Sequence, residues 1–316
     1  MDSSMKRRLA YGVGAVLATA AASATLAIGA ASASTDVTPP AGITVPGNSA
    51  GAPAVLVASL EGRNEATGGA VDGQALELIG IQGDTLTYSV SWRGIDAPTA
   101  AAIHSGASGV DGPAVVPLFT SPRPVAGFAS GSVTVSDPTL LAALRSNPAD
   151  FYTDLRTNNF PQGAARAQLH LLTHTVATSG VAALQESVVL GSQIYACTPQ
   201  KDGSFAFTQH NVEARLTGGI HHTFVQPDAG PPQWQAPDGS AVSGTVVAKN
   251  ANGAGNIAEL NLDATQIGAS TGLLAHAVEV LRLNTVGGVA PTGTCDPQAT
   301  PTVSVPYQAD YIFING

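Results

Sequence analysis

Ala75-Leu76-Glu77-Leu78-Ile79-Gly80-Ile81-Gln82-Gly83-Asp84-Thr85-Leu86-Thr87-Tyr88-Ser89-Val90-Ser91-Trp92-Arg93 reads as a β-hairpin. Two apolar, β-prone arms flank Gln82-Gly83-Asp84-Thr85, whose glycine suits a tight turn. In the second arm Leu86, Tyr88, Val90 and Trp92 alternate with Thr87, Ser89, Ser91 and Arg93. A period of two puts the large side chains on one face, towards a core.

The same pattern continues on both sides of the hairpin. Ala54 to Leu60, Val115 to Phe119 and Gly131 to Val135 read as strands, as do Phe151 to Thr157 and Ala164 to Leu172. One short helix interrupts them: Asp137 can cap it and Pro138 fits its first turn. Further on, Val188 to Cys197, Phe205 to Phe207, Val242 to Ala248 and Ala275 to Asn284 are candidate strands. The run Val303, Val305, Tyr307, Ala309, Tyr311, Phe313 alternates cleanly, with Pro306 pointing to an edge position. The fold class expected is mainly β, with two consecutive β-sandwich-like domains.

Residues 1–33 read as a secretory signal. Lys6, Arg7 and Arg8 precede a long Ala/Gly-rich apolar stretch, and Ala31-Ser32-Ala33 gives the small-x-small cleavage pattern. Cleavage implies a secreted, extracellular protein with no stable membrane span. Residues 34–52, rich in Pro and Gly, form a flexible linker. The whole chain has a net charge of −9 and only 11% charged residues. Lysine occurs only at Lys6, Lys201 and Lys249. Such a surface has little to offer a phosphate backbone, so nucleic acid is excluded as a partner. Outside the cytoplasm the two cysteines, Cys197 and Cys295, are expected to form one disulfide.

Three stretches of the first half resemble the CHRD domain, named for chordin and found singly in bacterial exported proteins. They are Leu60-Glu61-Gly62-Arg63-Asn64-Glu65, then Ala102-Ile103-His104-Ser105-Gly106-Ala107 with Gly112 to Leu118, then Phe151 to Thr157 with Pro161, Gly163, Arg166, Gln168 and Leu169. The resemblance covers 53–173 and implies an immunoglobulin-like or superoxide-dismutase-like domain of no defined activity. Two family histidines are replaced here, by Ala102 and Arg156, which leaves His104 alone of any metal set the family would offer. The second half resembles a domain-of-unknown-function family, number 3455, over 184–316. It does so through Gly191 to Cys197, Trp234 with Pro237 to Ser240, Leu281 to Pro291, Cys295 and Val305 to Tyr311. Both cysteines fall on matched positions, which fits a bridge inside that domain. Residues 174–183 are read as the linker between the halves.

Candidate chemistry is sparse. His104, read as lying in a turn beside Ser105 and Gly106, is the candidate metal ligand or base. His170 with His174 and the adjacent His221-His222 are two further pairs, each with strand geometry that separates the rings. Trp234 with Asp238 is the candidate ligand-binding set, suited to stacking on a sugar ring. Gly47-Asn48-Ser49-Ala50-Gly51 spells G-x-S-x-G, but lies in the Pro-rich lead rather than between a strand and a helix. No catalytic residue and no cofactor is expected. The function expected is a non-enzymatic extracellular or cell-envelope module that binds an as yet unspecified surface component. The alternatives are a dismutase-like redox enzyme using His104 and a carbohydrate-binding module using Trp234.

Overall fold

The computed structural model describes residues 53–316 apart from 122–126, 175, 177–181 and 229. The export signal with Ala31 and Ala33, the 34–52 lead and the Gly47–Gly51 motif lie outside the described residues. So does most of the 174–183 linker.

The first half is one continuous sheet curled around a single core. Its strands are β1 (Ala54–Glu61), β2 (Gln74–Gln82), β3 (Thr85–Arg93), β4 (Ala100–Ser105), β5 (Ala114–Phe119), β6 (Phe128–Thr134), β7 (Phe151–Arg156), β8 (Ala165–Gln168) and β9 (His170–Leu171). The order is β5-β4-β7-β8-β1-β2-β3-β6, with β9 also on β1. Leu56, Leu60, Ile79, Leu86, Ile103 and Leu155 come from strands spread across that order yet share one core, so the sheet must curl. The hairpin is as expected: β2 and β3 pair from Gln74–Arg93 to Gln82–Thr85. Helix α1 (Pro138–Ser146) closes the core with Leu141 and Leu144, and the Asp137 carboxylate accepts from the Thr139 and Leu140 N–H groups.

The second half is a closed antiparallel barrel of β10 (Ala183–Pro199), β11 (Phe205–Leu216), β12 (His221–Phe224), β13 (Pro232–Gln235), β14 (Ala241–Asn250), β15 (Glu259–Gln266), β16 (Ala277–Gly287) and β17 (Thr302–Asn315). Each strand pairs with the next, and β17 returns to β10. The chain is therefore mainly β, two units in tandem with one disulfide in the second. The second unit differs from stacked sheets because β10 and β17 are long enough to pair along both flanks and leave no edge. Pro306 consequently lies in a strand paired on both sides rather than at an edge. Its missing N–H is tolerated where the β10 register jumps between Ser187 and Ser192 and the β16 register between Leu283 and Val286. Cys197 and Cys295 are joined, with sulfurs 2.01 Å apart, which ties the end of β10 to the loop before β17.

Alternation decides which side chains enter the barrel. On β17 Tyr307, Ala309, Tyr311 and Phe313 face inward with Val212, Trp234, Leu262 and Val280. Ile312 and Ile314 face out, with Leu281 and Leu283 of β16, against Val55, Val57, Leu76 and Leu78 of the first sheet. The two halves are thus joined by an apolar seam. Polar contacts border it: the Asp310 carboxylate accepts from Ser59 Oγ (2.7 Å), Ser187 Oγ (2.6 Å) and Asn284 Nδ2 (2.8 Å). The Glu279 carboxylate accepts from the backbone N–H of Thr173 and of His174, which pins the start of the connecting segment. Among the described residues no helix is long and apolar enough to cross a membrane.

Candidate functional site

His104 sits inside β4, not in a turn. It is paired with Tyr152 on β7 and is only 4% exposed. The small residues Ala100 to Ala102 hide this strand from a hydrophobicity reading. The imidazole is held on both sides: Nδ1 lies 2.9 Å from the Gly112 carbonyl and Nε2 3.1 Å from Asp154 Oδ1. A carbonyl can only accept, so Nδ1 donates. The carboxylate favours a donor at Nε2 as well. Burial opposes the resulting charge, but the hydrogen bonds to Asp154 and Gly112 outweigh it and raise the His104 pKa.

The neighbours of His104 are equally committed. Asp154 Oδ2 accepts from Arg156 Nε at 2.9 Å. The Tyr152 ring stacks on His104 at 4.8 Å, the Arg166 guanidinium lies 3.6 Å over that ring, and Arg166 pairs with Asp111. A metal would have to displace a proton and a hydrogen bond from His104 to gain one ligand. Among the described residues no three His, Cys, Asp or Glu side chains are placed to share an ion. A histidine NMR titration should find the His104 ring losing its proton above the ordinary histidine midpoint. A midpoint below 6.5 would show that Asp154 does not hold the charge.

The remaining histidines do not form pairs. His170 is buried, 3.5 Å from Glu259, whereas His174 reaches Asp263 at 2.9 Å. His221 faces outward to Glu213, while His222 is buried in the barrel. Nor does the structure bring Trp234 and Asp238 to one surface. Asp238 is exposed and builds a turn: its oxygens accept from Ser240 N, Ser240 Oγ and Leu273 N, and these bonds lower its pKa.

Trp234 is 1% exposed and points into the barrel. Its indole stacks on His222 at 4.5 Å and 4°, with Tyr311 edge-on at 5.4 Å. Gly244 on β14 makes room for it, since a Cβ there would lie 3.0 Å from Trp234 Cζ3 and 2.9 Å from Leu262 Cδ2. His222 Nδ1 donates to the Gln233 carbonyl at 2.8 Å, and burial pushes its pKa down to about 3, so this ring is neutral.

These groups form the floor of a cavity of about 300 Å³. Val212 and Leu262 line its walls, and the exposed Gln209, Val246 and Lys249 stand at its mouth. A second, shallower space of about 570 Å³ adjoins it, and Gln193, Lys249 and Arg282 line both. An eight-stranded barrel has an interior just wide enough to be filled by side chains or to hold one small ligand. Here part of the interior is left open. Of this lining, Trp234 and His222 are singled out by the sequence, each in a different candidate set. Arg282 had a legible signal: a cation in Leu281-Arg282-Leu283, on the phase opposite to the two leucines.

A tandem of a curled sheet and a disulfide-tied meander barrel that holds an apolar cavity defines a class of two-module β proteins. Within it, residues 56–169 are a CHRD domain, and residues 217–315 match a protein family of unknown function, DUF3455. The second match begins after β11, so β10 and β11 complete the barrel from outside it. No curated protein and no solved structure matches the chain.

Proposed function

We propose that the chain is an exported, non-catalytic binding protein whose barrel receives a small, mostly apolar molecule. The observation that carries this is the cavity itself, an aromatic floor under an exposed mouth in the barrel. Pockets of this size lined by apolar and aromatic groups are the usual form of small-molecule sites. The CHRD half supplies a fixed support on the outside of β16 and β17. Export is supported by the N-terminal residues 1–33 and by the disulfide, a bond that persists in oxidising surroundings. Trp234 serves this reading as a cavity wall rather than as an exposed platform for sugar.

N-phenyl-1-naphthylamine, an uncharged apolar dye, tests the proposal. Its fluorescence should rise saturably, at one dye per chain, with native protein. Val246→Trp, which places an indole across the mouth, should weaken binding at least tenfold. Non-saturable uptake, or binding indifferent to Val246→Trp, would remove the barrel as the site.

A further inference from the structure

Two buried polar groups of the cavity lining lack a partner, and both are donors. The Trp234 indole N–H and the Gln193 side-chain amide NH₂ are both buried and make no hydrogen bond. Gln193 is only 3% exposed, and its carbonyl oxygen is already occupied by Gln209 Nε2 at 3.1 Å. A buried donor without an acceptor is unfavourable, and a ligand that brings an acceptor removes that penalty.

Arg282 adds a charge to this set. It faces the barrel interior opposite Tyr311. Its Nε and Nη2 donate to the Ala258 carbonyl at 3.1 and 2.7 Å. Among the described residues no carboxylate forms an ion pair with it. This contrasts with Arg63, Arg156 and Arg166, which are paired with Glu61, Asp154 and Asp111. Glu259, the acid whose titration Arg282 influences, lies on the opposite phase of β15 from the inward Leu260, against His170. Lys249, one of only three lysines in the sequence, stands at the same mouth. No Asp or Glu lines either space. In a chain with a net charge of −9, two cations without acidic partners have been gathered where a ligand would enter.

We infer that the ligand is an amphipathic anion, with an apolar, aromatic-compatible body against Trp234 and Tyr311 and a carboxylate or sulfonate at Arg282. This rests on the barrel being the binding site, and it adds the chemical class. A cationic ligand would find no counter-charge. A neutral sugar would find few acceptors for its hydroxyls. An anion at Arg282 meets a fixed guanidinium at the edge of an apolar space, where charge–charge attraction is stronger than in bulk water.

Two dyes with the same kind of aromatic body separate the claims: 1-anilinonaphthalene-8-sulfonate, which is anionic, and N-phenyl-1-naphthylamine, which is neutral. The folded protein should bind the sulfonate at least tenfold more tightly than the amine. Arg282→Gln should cut sulfonate affinity at least tenfold and leave the amine within twofold, while Arg282→Lys should restore most of the loss. Near-UV circular dichroism checks that each variant keeps its packed aromatic core. Lys249→Gln, at an exposed position, should cost the sulfonate at least twofold, and this loss should shrink in high salt. If both dyes bind and neither substitution distinguishes them, the anion assignment falls and the cavity stands. If neither dye binds the unaltered protein, the cavity reading falls first and the anion assignment with it.

Discussion

Moving the protein from pH 5 to pH 8 should lower its stability by about 4 kcal/mol. Glu61, Glu77 and Glu259 are each pushed up to about 7, in every case chiefly by burial. The Asp310 charge adds to this at Glu61, and Arg63 works against it. At Glu77 the carboxyl oxygens lack a partner of good geometry, and the nearby Thr153 hydroxyl offsets only part of the cost. Glu65 is also raised to about 7, mainly by burial. In the unfolded chain these groups ionise near 4.5. Between 4.5 and 7 the folded state therefore holds protons that the unfolded state has released, and stability falls as pH rises.

Of these four, Glu61, Glu77 and Glu259 are the most buried, and each contributes up to about 3 kcal/mol across the two units from pH 5 to 7. Two histidines act in the opposite direction. Burial lowers His170 to about 4 and His222 to about 3, so both fold neutral while the unfolded chain is protonated below about 6.5. Together they return about 4 kcal/mol between pH 5 and 6.5. Below about 4.5 the carboxyls no longer discriminate and the histidines dominate, so stability falls again. The maximum should lie near pH 4.5–5. Urea unfolding at half-unit intervals would measure the profile, and a curve flat or rising from pH 5 to 8 would sink the assignment. Glu77→Gln should leave stability little changed at pH 5 and raise it at pH 8.

Replacing both cysteines by serine should cost about 4–5 kcal/mol. Cys197 and Cys295 are 98 residues apart, and the chain-entropy account gives about 4.7 kcal/mol for a closed loop of that size. The bridge joins the end of β10 to the segment leading into β17, the two strands whose pairing closes the barrel. Its loss should therefore fall on the second unit first, and reduction should reproduce it. Matched urea curves with and without dithiothreitol, together with the double variant, provide the measurement. A loss below about 1 kcal/mol would show that the closed strands hold the seam without the bridge.

What could be read from sequence follows from how each element signals itself. The β2–β3 hairpin, α1 with its Asp137 cap and the alternation of β17 carried strong periodic signals, and all three are present. β4 was missed because three alanines give no contrast between faces. β12 and β13 are only four residues each, and β13 contains a proline. β15 did alternate, with Leu260, Leu262 and Ala264 against Glu259, Asn261 and Asp263, but its polar half obscured the run. Closure of the barrel was not legible, because it depends on β10 meeting β17 more than 100 residues later. For the same reason the cavity was visible only as Trp234 and His222, read apart from each other. Arg282, Gln193 and Lys249 meet Trp234 only once the strands curve round.

Asp310 accepts hydrogens from Ser59, Ser187 and Asn284, so a single carboxylate clasps the first unit, the first barrel strand and the second-to-last one. Beside it Leu281, Leu283, Ile312 and Ile314 present a greasy stripe that the first unit covers. Parting the two halves after a cut between Leu172 and Ala183 would bare both sides of that stripe. The resulting fragments should act as a split pair, each poorly soluble by itself and re-formed by mixing, and would offer a ready two-part reporter.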